Sequence, residues 1–188
     1  HGSLAEFQTY LLASGAEIGV SLTRDLNQDG HDDWVLPVRV NETNTRWEVW
    51  VIPGGQPTPR IFSISGFRGS FMLNQPGLTL DTAPVIAILD LPGVSSPVLV
   101  VDGGDDLLFA HVATAAGQSQ VVQLGPVISY AQHGRYSIRR ESDSAELHVD
   151  THSYACPACT SIYAWDAQQQ RFVLQSVIGQ PATTSTRL

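Results

Sequence analysis

Between positions 25 and 33 the chain carries oxygen donors at a spacing suited to a hard cation: Asp25, Asn27, Asp29 and Asp33, with the backbone carbonyl of His31 between the last two. Counted from Asp25, these donors fall at loop positions one, three, five, seven and nine. Ca²⁺ takes about six to eight oxygen ligands, so several carboxylates must converge on one point. Gly30, at position six, can adopt the backbone angles that such a tight turn needs. Asp32 at position eight is expected to point away into solvent. A helix–loop–helix calcium site would need a bidentate glutamate at position twelve, where this chain has Leu36. The flanks instead alternate as strands do, with Ile18, Val20 and Leu22 before the loop and Trp34, Leu36, Val38 and Val40 after it. The expectation is a β-hairpin closed around calcium. The simpler alternative is a metal-free turn, because Asp and Asn also bond their own backbone. Gathering Asp25, Asp29, Asp32 and Asp33 without a cation would be repulsive, and that favours the ion.

Cys156 and Cys159 are the only cysteines. A redox pair belongs at a strand-to-helix junction, yet the residues after Cys159, Ser161 to Trp165, alternate as a strand. Zinc would need four ligands and could recruit His148 and His152. A structural disulfide is the expected state and implies an oxidising compartment. No Gly-x-Ser-x-Gly elbow, phosphate-binding glycine loop or His-Glu-x-x-His pattern is present. Asp102-Gly103-Gly104-Asp105-Asp106 has the chemistry of a hairpin turn. His111 and His133 have no partner set by spacing, so the chain is not expected to be an enzyme.

These residues must be positioned by a mostly β fold. Strand-type patterning dominates, 16 glycines and 11 prolines mark turns, and the one expected helix is short, around Leu4–Ser14. The 188 residues suit a single β domain over 4–188, with residues 1–3 resembling a tag remnant. No apolar run is long enough to span a membrane. The net charge is −8 and every basic residue is arginine, a balance that argues against nucleic acid.

A four-stranded unit repeats. The first joins the calcium hairpin to a second hairpin, Trp47–Ile52 with Arg60–Ile64, turning at Pro53-Gly54-Gly55. The second unit runs from Val85–Leu91 and Val98–Val101 to Leu107–Ala113 and Gln120–Leu124. Its Asp90-Leu91 corresponds to Asp25-Leu26, with the other ligands lost. The third comprises Tyr136–Arg140, Glu146–Val149, Ser161–Trp165 and Arg171–Leu174. Four-stranded repeats spaced by about 55–60 residues suggest propeller blades, whereas a β-sandwich of similar hairpins is the alternative.

The segment Asp25-x-Asn27-x-Asp29-Gly30-x-x-Asp33 between strands resembles the FG-GAP calcium hairpin of integrin α-chain propellers and their bacterial relatives. Tyr163-x-Trp165-Asp166 … Arg171-Phe172 looks like the closing hairpin of small secreted bacterial proteins of that group. This resemblance implies a small or distorted propeller-like assembly with a structural calcium ion. It further implies an immunity lipoprotein that protects the periplasm from peptidoglycan hydrolases delivered by type IV secretion. The expected partner is a secreted peptidoglycan-cleaving glycoside hydrolase, inhibited by a loop inserted into its cleft. A monomer is expected, periplasmic or secreted, touching membrane only through an upstream lipid anchor.

The segment nearest to known inhibitor loops is Ser65-Gly66-Phe67-Arg68-Gly69-Ser70-Phe71, with Ser65, Gly66, Phe67, Arg68 and Phe71 as candidate contacts. An ordinary connection with its aromatics tucked inward is the plainer reading. Tyr130, Tyr136 and Tyr154 are rival anchors. The alternative function is an adhesion or carbohydrate-binding module, for which Trp50 is the best candidate for an exposed platform.

Overall fold

The computed structural model describes residues 3–39, 47–55, 60–64, 83–104, 106–115, 117–129, 135–151 and 158–179. Helix α1 (Leu4–Ala13) starts at Ser3, whose hydroxyl accepts from Glu6 N while the Glu6 carboxylate accepts from Ser3 N. This reciprocal capping satisfies two backbone donors that the first turn cannot pair internally.

Three antiparallel sheets follow in chain order. The first comprises β1 (Glu17–Ile18), β2 (Leu22–Arg24), β3 (Asp33–Arg39), β4 (Glu48–Ile52) and β5 (Phe62–Ile64). Strands β1 and β2 share one edge of β3, while β4 and then β5 lie beyond its other edge. The second contains β6 (Val85–Leu89), β7 (Val98–Asp102), β8 (Asp106–Ala115), β9 (Gln118–Gln123) and the short β10 (Ile128–Ser129), with β9 and β10 both paired to β8. The third is a plain meander of β11 (Arg135–Arg140), β12 (Ala145–Thr151), β13 (Cys159–Asp166) and β14 (Arg171–Gly179). The three units expected from the repeat are therefore three sheets, each containing four strands paired in chain order.

Side chains alternate across a strand, so each sheet has two faces to cover. Leu36, Val38 and Ile52 of the first sheet pack with Leu11 of α1, joined by Phe7, Trp34 and Trp50. Its other face sends Val35, Val49 and Val51 against Leu99, Val101, Leu108 and Ala110 of the second sheet. The opposite face of the second sheet, with Val98, Val100, Leu107 and Phe109, meets Leu147, Val149, Trp165 and Phe172 of the third. The layers thus run helix, sheet, sheet, sheet. Being covered on both faces, β7 is apolar without interruption from Val98 to Val101. For the same reason both faces of β3 are covered, although its alternation marks only one.

A correction concerns the strand before the 25–33 loop. Ile18 pairs with Val38 and Leu22 with Val35, so residues 19–21 are three facing two. Such a bulge re-aims side chains, and Val20 is 86% exposed rather than in step with Ile18 and Leu22. Pro37 lies in the gap with no N–H to offer, and Gly19 N donates to its carbonyl at 2.9 Å.

Candidate metal centre

The 25–32 loop joins β2 to β3 immediately beyond the Arg24–Asp33 pair. Its shape comes from backbone N–H groups donating to the loop's own side chains. Asp25 accepts from Asp29 N at 3.1 Å and from Gly30 N at 2.9 Å. Asn27 Oδ1 accepts from the same Asp29 N at 3.0 Å, and Asp29 accepts from His31 N at 2.9 Å. The Asn27 amide donates to Asp29 Oδ2 at 2.9 Å. Two oxygens bound to one N–H must be near neighbours, so Asp25, Asn27 and Asp29 turn towards a common region. Gly30 has φ +86°, and Gln28 holds φ 59°, a left-handed angle at a non-glycine that the donor spacing does not single out.

Asp33 is fully buried at the base of the loop. Leu26 N and Gly54 N each donate to its carboxylate at 2.8 Å. It therefore ties the loop to the Pro53-Gly54-Gly55 turn, a role that spacing alone does not reveal. Burial pushes its carboxyl above the ordinary carboxylate value against the pull of the Gly54 and Leu26 amides, and the Asp29 and Asp25 carboxylates add to the rise. Three acidic groups thus stand close enough to repel one another. Beside them the His31 ring lies against Gly55, where an added Cβ would come within 2.4 Å of its Cδ2. Asp32 is exposed, as its position in the loop predicts.

Among the described residues, no three or more His, Cys, Asp and Glu side chains stand together in a metal-holding arrangement. The loop's donor set also draws on Asn27 and a backbone carbonyl. A carboxylate oxygen that accepts one N–H keeps a second lone pair for a cation. In donor type the residues fit a hard ion: oxygen only, mutually repulsive, and shaped by backbone amides rather than by opposing cationic side chains.

Cys159, at the start of β13, is disulfide-bonded, and Cys156, the only other cysteine of the sequence, lies outside the described residues. Gly179 faces Cys159, and a Cβ there would sit 2.8 Å from Sγ. His148 Nε2 lies 3.0 Å from Glu146 Oε2, while His152 lies outside the described residues. The zinc alternative loses its thiolate at Cys159.

Between β7 and β8, Gly103 N donates to Asp106 O at 2.9 Å and Gly104 N to Asp102 Oδ1 at 2.8 Å, as in a turn. His111 is half-buried, with Nδ1 3.0 Å from Ser96 Oγ, and burial lowers its pKa. Tyr136 lies in β11, half-buried and hydrogen-bonded to Asp102, rather than in a loop. Ser65, Gly66, Phe67, Arg68 and Phe71 lie outside the described residues, as do Tyr130 and Tyr154. Trp50, the expected platform, packs with the α1 cluster and donates to Glu48 at 2.9 Å.

Comparison of the chain with protein-family models, with curated proteins and with solved structures finds no match.

Proposed function

We propose that this chain is a calcium-stabilised periplasmic binding protein that inhibits a peptidoglycan-cleaving glycoside hydrolase, with its three sheets arranged as a propeller-like stack. The observation that carries the calcium part is the convergence of Asp25, Asn27 and Asp29 above the buried Asp33 carboxylate. Asp25, Asn27, Asp29, Asp33 and the His31 carbonyl would hold the ion, which would neutralise the mutual repulsion of the carboxylates. The stack itself supplies stiffness, since a rigid surface loses less entropy on binding.

Support for an inhibitor over a sugar-binding module comes from the tryptophans. Trp47 and Trp165 are buried, and Trp34 and Trp50 are half-buried against α1. None is fully exposed, as a tryptophan platform for a sugar ring would be. The net charge of −8 complements a basic hydrolase, and such complementarity acts mainly on the rate of encounter. The resemblance to immunity lipoproteins supplies the partner class, the periplasmic or secreted location and the upstream lipid anchor.

The test is a cell-wall cleavage assay with secreted hydrolases captured on the immobilised protein. Stoichiometric inhibition without turnover is expected, with added salt slowing association more than it speeds dissociation. Cleavage undiminished at excess protein, together with retention on insoluble glycan, would replace the inhibitor by the carbohydrate-binding reading. If inhibition survives truncation of both Phe67 and Phe71, only the choice of the 65–71 loop is lost.

A further inference from the structure

The loops between the first and second strands of the first two repeats make the same kind of contact with the next sheet. Asp25-Leu26-Asn27 corresponds to Asp90-Leu91-Pro92, and both leucines are buried, Leu26 at 0% and Leu91 at 4% exposure. The third residue of each loop then reaches the far hairpin of the following sheet. Asn27 Nδ2 donates to Ser119 Oγ at 3.1 Å. Pro92 O accepts from Trp165 Nε1 at 2.7 Å. Ser119 pairs with Thr114 and Phe172 with Trp165, so both contacts fall one step from their hairpin turns.

The two seams differ in what backs these contacts. Between the second and third sheets Trp165 and Phe109 both pack on Phe172, with ring centres 5.2 Å and 4.8 Å away. Between the first and second sheets the corresponding place is polar, with Arg60 Nη1 to Gln118 Oε1 at 3.3 Å beside the Asn27–Ser119 bond. That seam also opens into a groove of about 440 Å³ lined by Phe62, Ile64, Leu108, Ala110, Val121 and Gln123. Asn27 belongs to both the loop and the seam: its amide nitrogen reaches Asp29 inside the loop and Ser119 across the seam. Aspartate at this position would supply an oxygen but no N–H donor.

We propose that Asn27 is a positioning residue that couples the 25–33 loop to the seam between the first and second sheets through Ser119, so that the state of the loop sets how tightly that seam closes. The coupling itself is independent of metal; only its control by calcium rests on the function proposed above.

The test combines Asn27→Ala, Ser119→Ala and the double variant with hydrogen exchange of the whole chain. Ser119→Ala leaves every loop donor in place. In EGTA, the two single substitutions should be non-additive by a factor of about two or more in the unfolding equilibrium, as for residues in contact. Each should speed exchange several-fold in β5 and β9 and leave β11–β14 unchanged. In calcium chloride, wild-type exchange should slow in both the loop and the seam, and Ser119→Ala should confine that slowing to the loop. Additive effects with an unchanged seam overturn the proposal, as does a calcium effect on the seam that survives Ser119→Ala. Calcium that slows exchange nowhere would defeat the calcium reading, and the EGTA cycle would still decide the coupling.

Discussion

Trp165 Nε1 donates a 2.7 Å hydrogen bond to the carbonyl oxygen of Pro92, joining β13 of the third sheet to the 90–97 loop of the second. The indole is also buried against Phe172, so one side chain contributes to both the polar and the apolar contacts of this seam. Trp165→Phe should retain much of the packing and leave the carbonyl without its donor, at a cost of about 1–3 kcal/mol. Trp165→Ala should cost about 3–5 kcal/mol, because a cavity is added. Denaturant titration measures both, and a cost within about 0.5 kcal/mol of zero for Trp165→Phe would deny the hydrogen bond any role.

Calcium should stabilise the folded protein. A ligand at about a hundred times its Kd adds about 2.7 kcal/mol, so the melting temperature should fall in EGTA. Asp29→Ala should abolish the difference between calcium and EGTA. A melting temperature indifferent to chelator in the unmodified protein would refute the metal centre.

Asp33 should matter even without metal. Its carboxylate accepts from Leu26 N and Gly54 N, and Asp33→Ala strands both amides at a buried position. The expected loss, measured in EGTA, is at least about 2 kcal/mol, and Asp33→Asn should lose less because one oxygen remains. A cost within about 0.5 kcal/mol of zero for Asp33→Ala would leave Asp33 a ligand only.

Tyr136 gives the protein an alkaline limit. Burial, and then the charge and hydrogen bond of Asp102, raise its pKa above the usual 10.0. A group raised on folding adds stability that is whole below its unfolded value and is lost as pH rises through the folded value. The loss therefore runs from about pH 10 upward, and the chain has no lysine to titrate in the same range. Tyr136→Phe should flatten the fall in melting temperature across that window. An unchanged slope would show that Tyr136 is not strained by ionisation.

Local chemistry makes much of this molecule legible in its sequence. Alternation sets the strands, glycine and proline set the turns, and the Asp25–Asp33 spacing sets a hairpin loop in which Asp25, Asn27 and Asp29 accept from the loop's own backbone amides. These features depend on neighbours a few residues apart, where strand and turn geometry leaves few choices. The contacts that join the sheets depend on stacking. Alternation along β3 marks one buried face, but only the layer order puts α1 on one side of it and the second sheet on the other. The spacing of Asp33 recommends it as a ligand, yet its burial brings Gly54, 21 residues away, to its carboxylate. Nothing local distinguishes Asn27 from a fourth aspartate, because its partner Ser119 arrives from 92 residues further along the chain. A side chain's type and spacing define what it can bind; the packing of whole sheets determines which partners reach it.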